Sequence, residues 1–207
     1  DDFDQGFEDS RDDFAMPKLI LLQSKSPQCE EDGMKLGSLY DNVAEEEVPN
    51  PSVNFVPVYR DHVFVEKTDD AARKYIATHS LNSEVVALAK ETSEKFGQYY
   101  TAAGNKLEEK FVIYAVNAAD GQPFAFDVKG LSMKHYKKWR SRLGKIMVAR
   151  PDGSKKAAPF HSHLCTLTTD KEKTENGVFS VFNFAAASGT VRDSVIDKTN
   201  PLFGEAK

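Results

Sequence analysis

Stretches in which apolar and polar residues alternate recur along the chain and predict a mainly β fold. In VNFVPVYRDHVFVEK (53–67), residues Val53, Phe55, Pro57 and Tyr59 alternate along a predicted strand. Proline has no backbone N–H to donate, so Pro57 predicts that this strand lies at a sheet edge or carries a bulge. The apolar run MPKLILLQ (16–23) predicts an earlier, buried strand.

Two hairpins are predicted later in the chain. KFVIYAVNA and QPFAFDVKG flank the turn residues 119–121, which are Ala, Asp and Gly. APFHSHLCTLTT and GVFSVFNFAA flank a second polar connection, DKEKTENG. Successive hairpins favour an antiparallel sheet over a doubly wound parallel one.

Three segments have helical patterns. Residues 68–79 begin with Thr68 as a helix cap followed by acids, and residues 83–100 begin with a cap at Asn82 or Ser83. The apolar face expected for the second helix is Val85, Leu88, Ala89, Thr92 and Phe96. The third helix is expected from Ser132 to about Met147.

These elements predict one α+β, mainly β domain over residues 15–190, built as an OB-like barrel or a curved antiparallel sheet with inserted helices. Residues 1–14 are acidic and predict a disordered tail, and residues 191–207 are interpreted as a C-terminal extension.

Charge is segregated along the chain. Of the 207 residues, 27 are Lys or Arg and 32 are Asp or Glu, for a net charge of −5. Residues 1–13 carry seven acids and one Arg (−6), whereas residues 131–156 carry nine bases and one acid (+8). Such segregation indicates an anionic partner for the basic segment.

The third helix predicts an apolar stripe and a basic face. Its apolar residues recur at helical spacing: Met133, Tyr136, Trp139, Leu143 and Ile146. We therefore expect Trp139 to pack in the core. No acid occurs between Leu131 and Ala149 to pair with the bases, which favours an anion-binding surface for nucleic acid. The candidate phosphate-binding residues are Lys134, Lys137, Lys138, Arg140, Arg142 and Lys145.

Aromatic residues on the predicted strands are candidates for stacking on bases. We select Tyr59, Tyr114, Phe126 and Phe182. Only one face of each strand can reach a ligand, and in VFSVFNF the sequence does not decide between the set of Phe179 and Val181 and the set of Phe182 and Phe184.

Other chemistry has weak support. On a strand, His161, His163 and Cys165 would point the same way, but no fourth ligand is apparent, and we predict neither a metal nor a cofactor. No known catalytic motif occurs, so we expect no enzymatic activity. The two cysteines and the lack of a long apolar run favour a cytoplasmic protein without a membrane span.

Several blocks resemble phage-encoded single-stranded DNA-binding proteins of OB-fold type. These blocks are MPKLILLQSKSPQ, MKLGSLYDN, VNFVPVYRDHVFVE, FAFDVKGLSMKHYKKWRSRL and APFHSHLCTLTTDKEKTENGVFSVFNF. The resemblance implies a protein that coats and protects single strands in phage DNA replication or recombination, without chemistry of its own. The acidic segment here is N-terminal, whereas many such proteins carry a C-terminal acidic tail for partner proteins.

We therefore expect sequence-independent binding of single-stranded DNA. The acidic segment is a candidate contact for replication or recombination proteins, and a homo-oligomer is compatible with the sequence. In the alternative interpretation, the protein is a non-enzymatic interaction protein whose basic helix docks an acidic partner. A metal-dependent nuclease would need a carboxylate cluster that the sequence does not display.

Overall fold

The computed structural model describes residues 15–95, 97–149, 153–175 and 177–190. The predicted tail (1–14) and C-terminal extension (191–207) lie outside these residues, as does Phe96. The helices are α1 (Pro27–Glu30), α2 (Glu84–Glu91) and α3 (Ser132–Leu143). The strands are β1 (Lys18–Leu21), β2 (Leu39–Asp41), β3 (Glu46–Glu47), β4 (Ser52–Lys67), β5 (Tyr75–Ser80), β6 (Tyr99–Tyr100), β7 (Lys106–Asn117), β8 (Pro123–Lys129), β9 (Met147–Ala149), β10 (Lys155–Ala157), β11 (His163–Thr174) and β12 (Gly177–Thr190).

One large sheet organises the fold. Its strands follow the order β12-β11-β4-β7-β8-β1-β2-β3, with β5 paired to β4 and β6 paired to β7. Every pairing is antiparallel except that of β1 with β8, and the sheet curls into a half-barrel. The predicted mainly β fold with a curved antiparallel sheet is confirmed. Both predicted hairpins are also present, as β7–β8 and β11–β12.

Strand β4 is central, yet it accommodates a proline. One of its edges pairs with β7 along most of its length. The other edge pairs with β11 at residues 52–55 and with β5 at residues 63–67, so Pro57 lies between these two partners. The β4–β7 register shifts between Pro57 and Tyr59. The predicted bulge is therefore confirmed, because Pro57 has no N–H to contribute to a ladder.

The concave side of the sheet, here called the inner face, holds the main core. Helix α3 lies across it, and its Trp139 ring stacks on Phe184 with the centroids 5.1 Å apart. Below the helix, Phe55 and Phe126 meet edge to face at 5.6 Å. Each fully buried aromatic side chain contributes roughly 1.5–3 kcal/mol of hydrophobic stabilisation, so this aromatic layer fixes α3 on the sheet.

Side chains close the half-barrel where β1 and β12 approach each other. The Gln23 amide pairs with the backbone of Ser180: Nε2 donates to the carbonyl at 2.9 Å, and Oε1 accepts from the N–H at 3.2 Å. Ser132 Oγ accepts from the Phe182 N–H at 3.0 Å. These bonds satisfy backbone groups of β12 that a further strand would otherwise satisfy.

The helix predicted over residues 68–79 is wrong. Residues 75–80 form strand β5, paired with β4. An acid that was expected in the first helical turn closes a turn instead: Asp70 Oδ1 accepts from the Ala72 and Arg73 N–H groups at 3.0 and 2.9 Å. An aspartate that bonds to the backbone ahead of it serves a turn as well as a helix start.

Helix α2 is present, and its predicted cap at Ser83 is confirmed by a 3.3 Å bond from the Val86 N–H. Its predicted apolar face is partly wrong. Val86 and Ala89 are buried, whereas Val85 and Leu88 are 37% and 50% exposed. The helix ends at Glu91 and is therefore only two turns long. Its two buried residues, Val86 and Ala89, pack with Phe64 in a second, smaller core.

Candidate functional site

Helix α3 separates an apolar side from a basic side. Four of the five predicted stripe residues are buried: Met133, Tyr136, Trp139 and Leu143. Ile146 is 37% exposed, because the helix ends at Leu143 and Ile146 lies in the turn that follows. The predicted core position of Trp139 is confirmed. Burying this stripe directs the remaining side chains of the helix outward.

Five exposed bases on and after α3 define what we call the basic surface: Lys138, Arg142, Lys145, Lys155 and Lys156. The first two lie on the helix, Lys145 lies in the following turn, and the last two lie on β10. Among the residues that the structure describes, none of the five forms an ion pair. Exposed cations without acid partners produce a positive potential that attracts anions.

The other three predicted bases of α3 have local partners. Lys134 forms an ion pair with Glu172, and Lys137 Nζ lies 3.8 Å from a Glu109 carboxylate oxygen. The Arg140 guanidinium lies 4.2 Å from the centre of the Phe160 ring. Lys134 and Lys137 remain 62% and 55% exposed, so these pairs are weak and leave both side chains available to a ligand.

A second group of charged residues, of which the sequence analysis selected only Lys137, lies on the inner face between α2 and α3. This interhelical strip consists of Arg60, His62, Lys90, Glu109 and Lys137. His62 Nε2 lies 2.8 Å from Glu109 Oε1, the acid that Lys137 also approaches. Arg60 and Lys90 add two further positive charges that act on His62. The strip therefore contains more positive than negative charge.

Aromatic rings position the strip. The Arg60 guanidinium lies 5.2 Å from the centre of the Phe111 ring, and its Nη1 donates to Tyr136 Oη at 3.4 Å. The His62 ring lies 4.3 Å from that of Phe111. Burial lowers the pKa of His62 below its ordinary value of 6.5, against the opposing effect of Glu109. Arg60 and His62 are two positions apart on β4, so their side chains lie on the same face of the sheet. This spacing could have revealed their proximity from the sequence.

The structure removes two of the predicted stacking residues. Phe126 is 0% exposed and Phe182 is 3% exposed, and their rings meet in the core at 5.6 Å. Of the two sets left open in β12, the set of Phe182 and Phe184 faces α3. Neither Phe126 nor Phe182 can stack on a base while α3 is in place, so the prediction for these two residues is wrong.

The other two predicted stacking residues lie on the opposite side of the sheet, here called the outer face. Tyr59 pairs with Tyr114 and the next residue, Arg60, pairs with Ile113. Because Arg60 contacts α3 and successive strand residues alternate, both tyrosines point away from the helix. Their ring centres are 5.8 Å apart, and Tyr114 Oη donates to Asp61 at 3.3 Å. A hydrogen bond between its own hydroxyl and Asp61 raises the pKa of Tyr59.

Three lysines of the outer face are paired with acids. Lys18 and Lys110 both bind Asp127, at 2.9 and 3.1 Å. Lys67 binds Glu108 at 2.7 Å. The outer face therefore combines one exposed tyrosine, Tyr59, and one half-buried tyrosine, Tyr114, with three paired lysines. The cations of the basic surface have no acid partner among the described residues.

The three residues considered as metal ligands do not converge. His161 is exposed in a short 3₁₀ turn, whereas His163 and Cys165 are 2% and 0% exposed in β11. Burial raises the pKa of the Cys165 thiol to about 12, so this group is protonated at neutral pH. The described residues contain no group of three or more His, Cys, Asp or Glu placed to hold a metal ion.

Comparison with known proteins identifies a family. The whole chain, residues 1–207, matches the model of the Pam3 phage gp34-like proteins, so the chain belongs to this phage protein family. No curated protein and no solved structure matches it significantly. Within the described residues, every helix is too short or too polar to cross a membrane.

Proposed function

We propose that this member of the Pam3 phage gp34-like family binds single-stranded DNA without sequence preference. It would coat and protect exposed strands during phage replication or recombination in the cytoplasm of the infected cell, and this role requires no catalysis. The observation that supports the proposal most strongly is the basic surface. Lys138, Arg142 and Lys145 are exposed there without a carboxylate partner in the described chain.

Unpaired cations are well suited to phosphates. Each Lys or Arg that contacts a phosphate releases a condensed counterion, which favours binding at low salt. A cation already held by a carboxylate would first have to give up that partner. The basic surface therefore has the advantage over the outer face, where Lys18, Lys67 and Lys110 are bonded to acids.

The composition of the exposed helix face supports binding without sequence preference. Its outward side chains between Lys134 and Arg142 are Lys, Arg and Ser. Residues 134–142 contain no Asn, Gln, Asp or Glu, the side chains that read adenine or cytosine in the major groove. Contacts of Lys and Arg to phosphates carry no direct sequence information. Because α3 lies flat on the sheet with Trp139 beneath it, its bases form a surface along which a flexible strand can lie.

The interhelical strip extends this surface. Lys137 belongs both to α3 and to the strip, where Arg60, His62 and Lys90 continue the positive charge towards α2. A strand that contacts the helix would find further phosphate partners here. Burial of the predicted phenylalanines leaves stacking a minor contribution, so we expect electrostatic attraction to dominate the affinity.

The first test is fluorescence anisotropy of labelled oligo-dT titrated with the protein at several salt concentrations. Labelled duplex DNA and poly-glutamate are titrated in parallel. The proposal predicts salt-sensitive binding that is tightest for oligo-dT. Poly-glutamate binding without oligo-dT binding would favour the alternative, a surface that docks an acidic protein. Failure of all three probes at low salt would contradict both interpretations.

A further inference from the structure

Strand β5 (Tyr75–Ser80) leaves part of the edge of the large sheet open. It pairs with β4 on one side, and no strand of the described chain pairs with its other side. In an antiparallel ladder, alternate residues direct their N–H and C=O groups to opposite sides of the strand, so part of the β5 backbone points away from the sheet. Such unpaired backbone groups are a template for another strand.

The sequence of β5 lacks the features that commonly keep an edge strand from pairing. Proteins protect their edges with charged residues, with proline or with bulges. The strand sequence, YIATHS, contains no Lys, Arg, Asp, Glu or Pro. Its register shift lies at its start, between the pairs Glu66–Ala77 and Lys67–Tyr75, so residues 77–80 continue as a regular strand.

Other edges of the sheet are covered or short, which sets β5 apart. Gln23 and Ser132 bond to the backbone of β12 and cover part of that edge. Strands β3 and β6 have two residues each, too few to hold a further strand. No described side chain bonds to the backbone of β5 in this way.

Apolar side chains are exposed beside the open edge. Tyr75 and Ile76 of β5 are 65% and 44% exposed, and Leu81, which directly follows the strand, is 38% exposed. A strand placed along β5 removes part of this apolar surface from water, which favours association.

The charges that flank β5 favour a second copy of this chain as the partner. Lys74 precedes the strand and Glu84 follows it, and both are exposed without an ion pair to any described residue. In an antiparallel pair of identical strands, the beginning of each strand lies beside the end of the other. Lys74 of each copy therefore lies at the same end of the pair as Glu84 of the other copy, and two-fold symmetry repeats this attraction.

We propose that two copies of this chain associate through their β5 edges, which pair antiparallel and continue the sheet from one copy into the other. The two-fold axis is perpendicular to the sheet, so the inner faces of both copies lie on the same side. The six residues of β5 are fewer than the roughly 20–30 residues a side of a standard interface, so the dimer dissociates on dilution. This inference does not depend on binding of nucleic acid.

The first test is sedimentation velocity of the full chain without nucleic acid, from micromolar to millimolar concentration, combined with hydrogen exchange. We expect a monomer–dimer equilibrium in which the amides of residues 75–80 exchange more slowly as the dimer forms. A monomer at every concentration would overturn the proposal. A dimer that forms without a change in exchange at β5 would also overturn it.

A pair of charge variants separates pairing from misfolding. Thr78 is exposed near the middle of β5, so Thr78→Lys or Thr78→Glu places like charges across the interface and should weaken the dimer about fivefold or more. An equimolar mixture of the two variants should associate again, because opposite charges then meet. Val43→Lys, at an exposed turn position, is the control and should dimerise like the unaltered chain. A mixture that associates no better than either variant alone would contradict the proposal.

A crosslink at the same position tests the proximity of the two strands. Thr78→Cys combined with Cys29→Ser leaves one accessible thiol, because Cys165 is buried. Facing side chains of paired strands are about 4.5–5.5 Å apart at Cβ and diagonal neighbours about 7–8 Å, so a short bis-maleimide should join two copies. Val43→Cys in the same background is the control. Equal crosslinking at the two positions would indicate random collisions and contradict the proposed interface.

Discussion

The two sides of the central sheet both carry lysines but use them differently. On the outer face, Lys67 is bonded to Glu108, and Lys110 is bonded to Asp127. On the inner side, the exposed bases of α3 include Lys138 and Arg142, which have no carboxylate partner among the described residues. The contrast shows that the pairing of the charges, rather than their number, marks the candidate site.

The largest expected effect concerns the core that holds α3 in place. Trp139→Ala should lower the free energy of unfolding by about 3–5 kcal/mol, because it leaves a cavity beneath the helix. That is a large fraction of the roughly 5–15 kcal/mol of a typical domain. Urea denaturation measures it.

The control for this variant is Ile146→Ala, at the last position of the predicted stripe. Because Ile146 is 37% exposed beyond the helix end, its replacement should cost less than about 1 kcal/mol. Similar costs at the two positions would mean that the stripe continues past Leu143 and that the basic surface is oriented differently.

Next in size is the effect of removing the unpaired charges. Lys138→Gln, Arg142→Gln and Lys145→Gln combined should weaken oligo-dT binding roughly 10- to 100-fold at low salt. The slope of log K against log salt should fall by about 2, since each phosphate contact to a single strand contributes about 0.7. Anisotropy titrations at several salt concentrations give both quantities.

The matched control removes paired charges from the outer face. Lys67→Gln combined with Lys110→Gln should change the affinity for oligo-dT by less than about twofold, although it removes ion pairs and lowers the unfolding temperature slightly. A loss equal to that of the basic-surface variant would contradict the difference between the two faces.

A smaller effect is expected from the two outer-face tyrosines. Tyr59→Ala combined with Tyr114→Ala should leave oligo-dT affinity within about twofold, because both rings point away from α3. A loss of about tenfold or more would correspond to the roughly 1–3 kcal/mol of a stacked base. That result would show that the strand reaches the outer face and stacks on the tyrosines that the sequence analysis selected.

The smallest effect concerns pH and His62. Burial lowers the pKa of His62, so the folded free protein favours the neutral imidazole. A phosphate in the interhelical strip favours the imidazolium, and binding should tighten a few-fold as the pH falls through the ordinary value of 6.5. Over the same pH range, the contribution of His62 to folding stability should decrease, because the unfolded chain binds the proton more readily.

The variant His62→Asn should remove this component of the pH dependence of oligo-dT affinity. His161→Asn, at an exposed position in the 3₁₀ turn, is the control and should retain it. A pH profile that is identical in all three proteins would exclude His62 from the interface.

Local signals predicted much of the fold. The two hairpins, the bulge at Pro57 and the buried stripe of α3 each depend on residues close in sequence. The segment 68–79 was misassigned because Asp70 serves a turn with the same kind of backbone bond that begins a helix. The outcome there depends on pairing with β4, which local propensity does not determine.

The candidate site was predicted less completely. The basic helix was located from its composition, but the faces of the aromatic residues were not, because burial of Phe126 and Phe182 depends on where α3 packs. Three members of the interhelical strip, Arg60, His62 and Lys90, were missed for the same reason. Arg60 and His62 come from β4, whereas Lys90 comes from α2. Contacts between elements far apart in sequence decided each of these points.

The most direct measurement is a lysine-acetylation footprint, read by mass spectrometry with and without saturating oligo-dT. We predict that Lys138, Lys145, Lys155 and Lys156 become protected, while the paired Lys67 and Lys110 of the outer face keep their reactivity. Protection of the outer-face lysines with no change on the basic surface would contradict the central claim that the unpaired cations form the binding site.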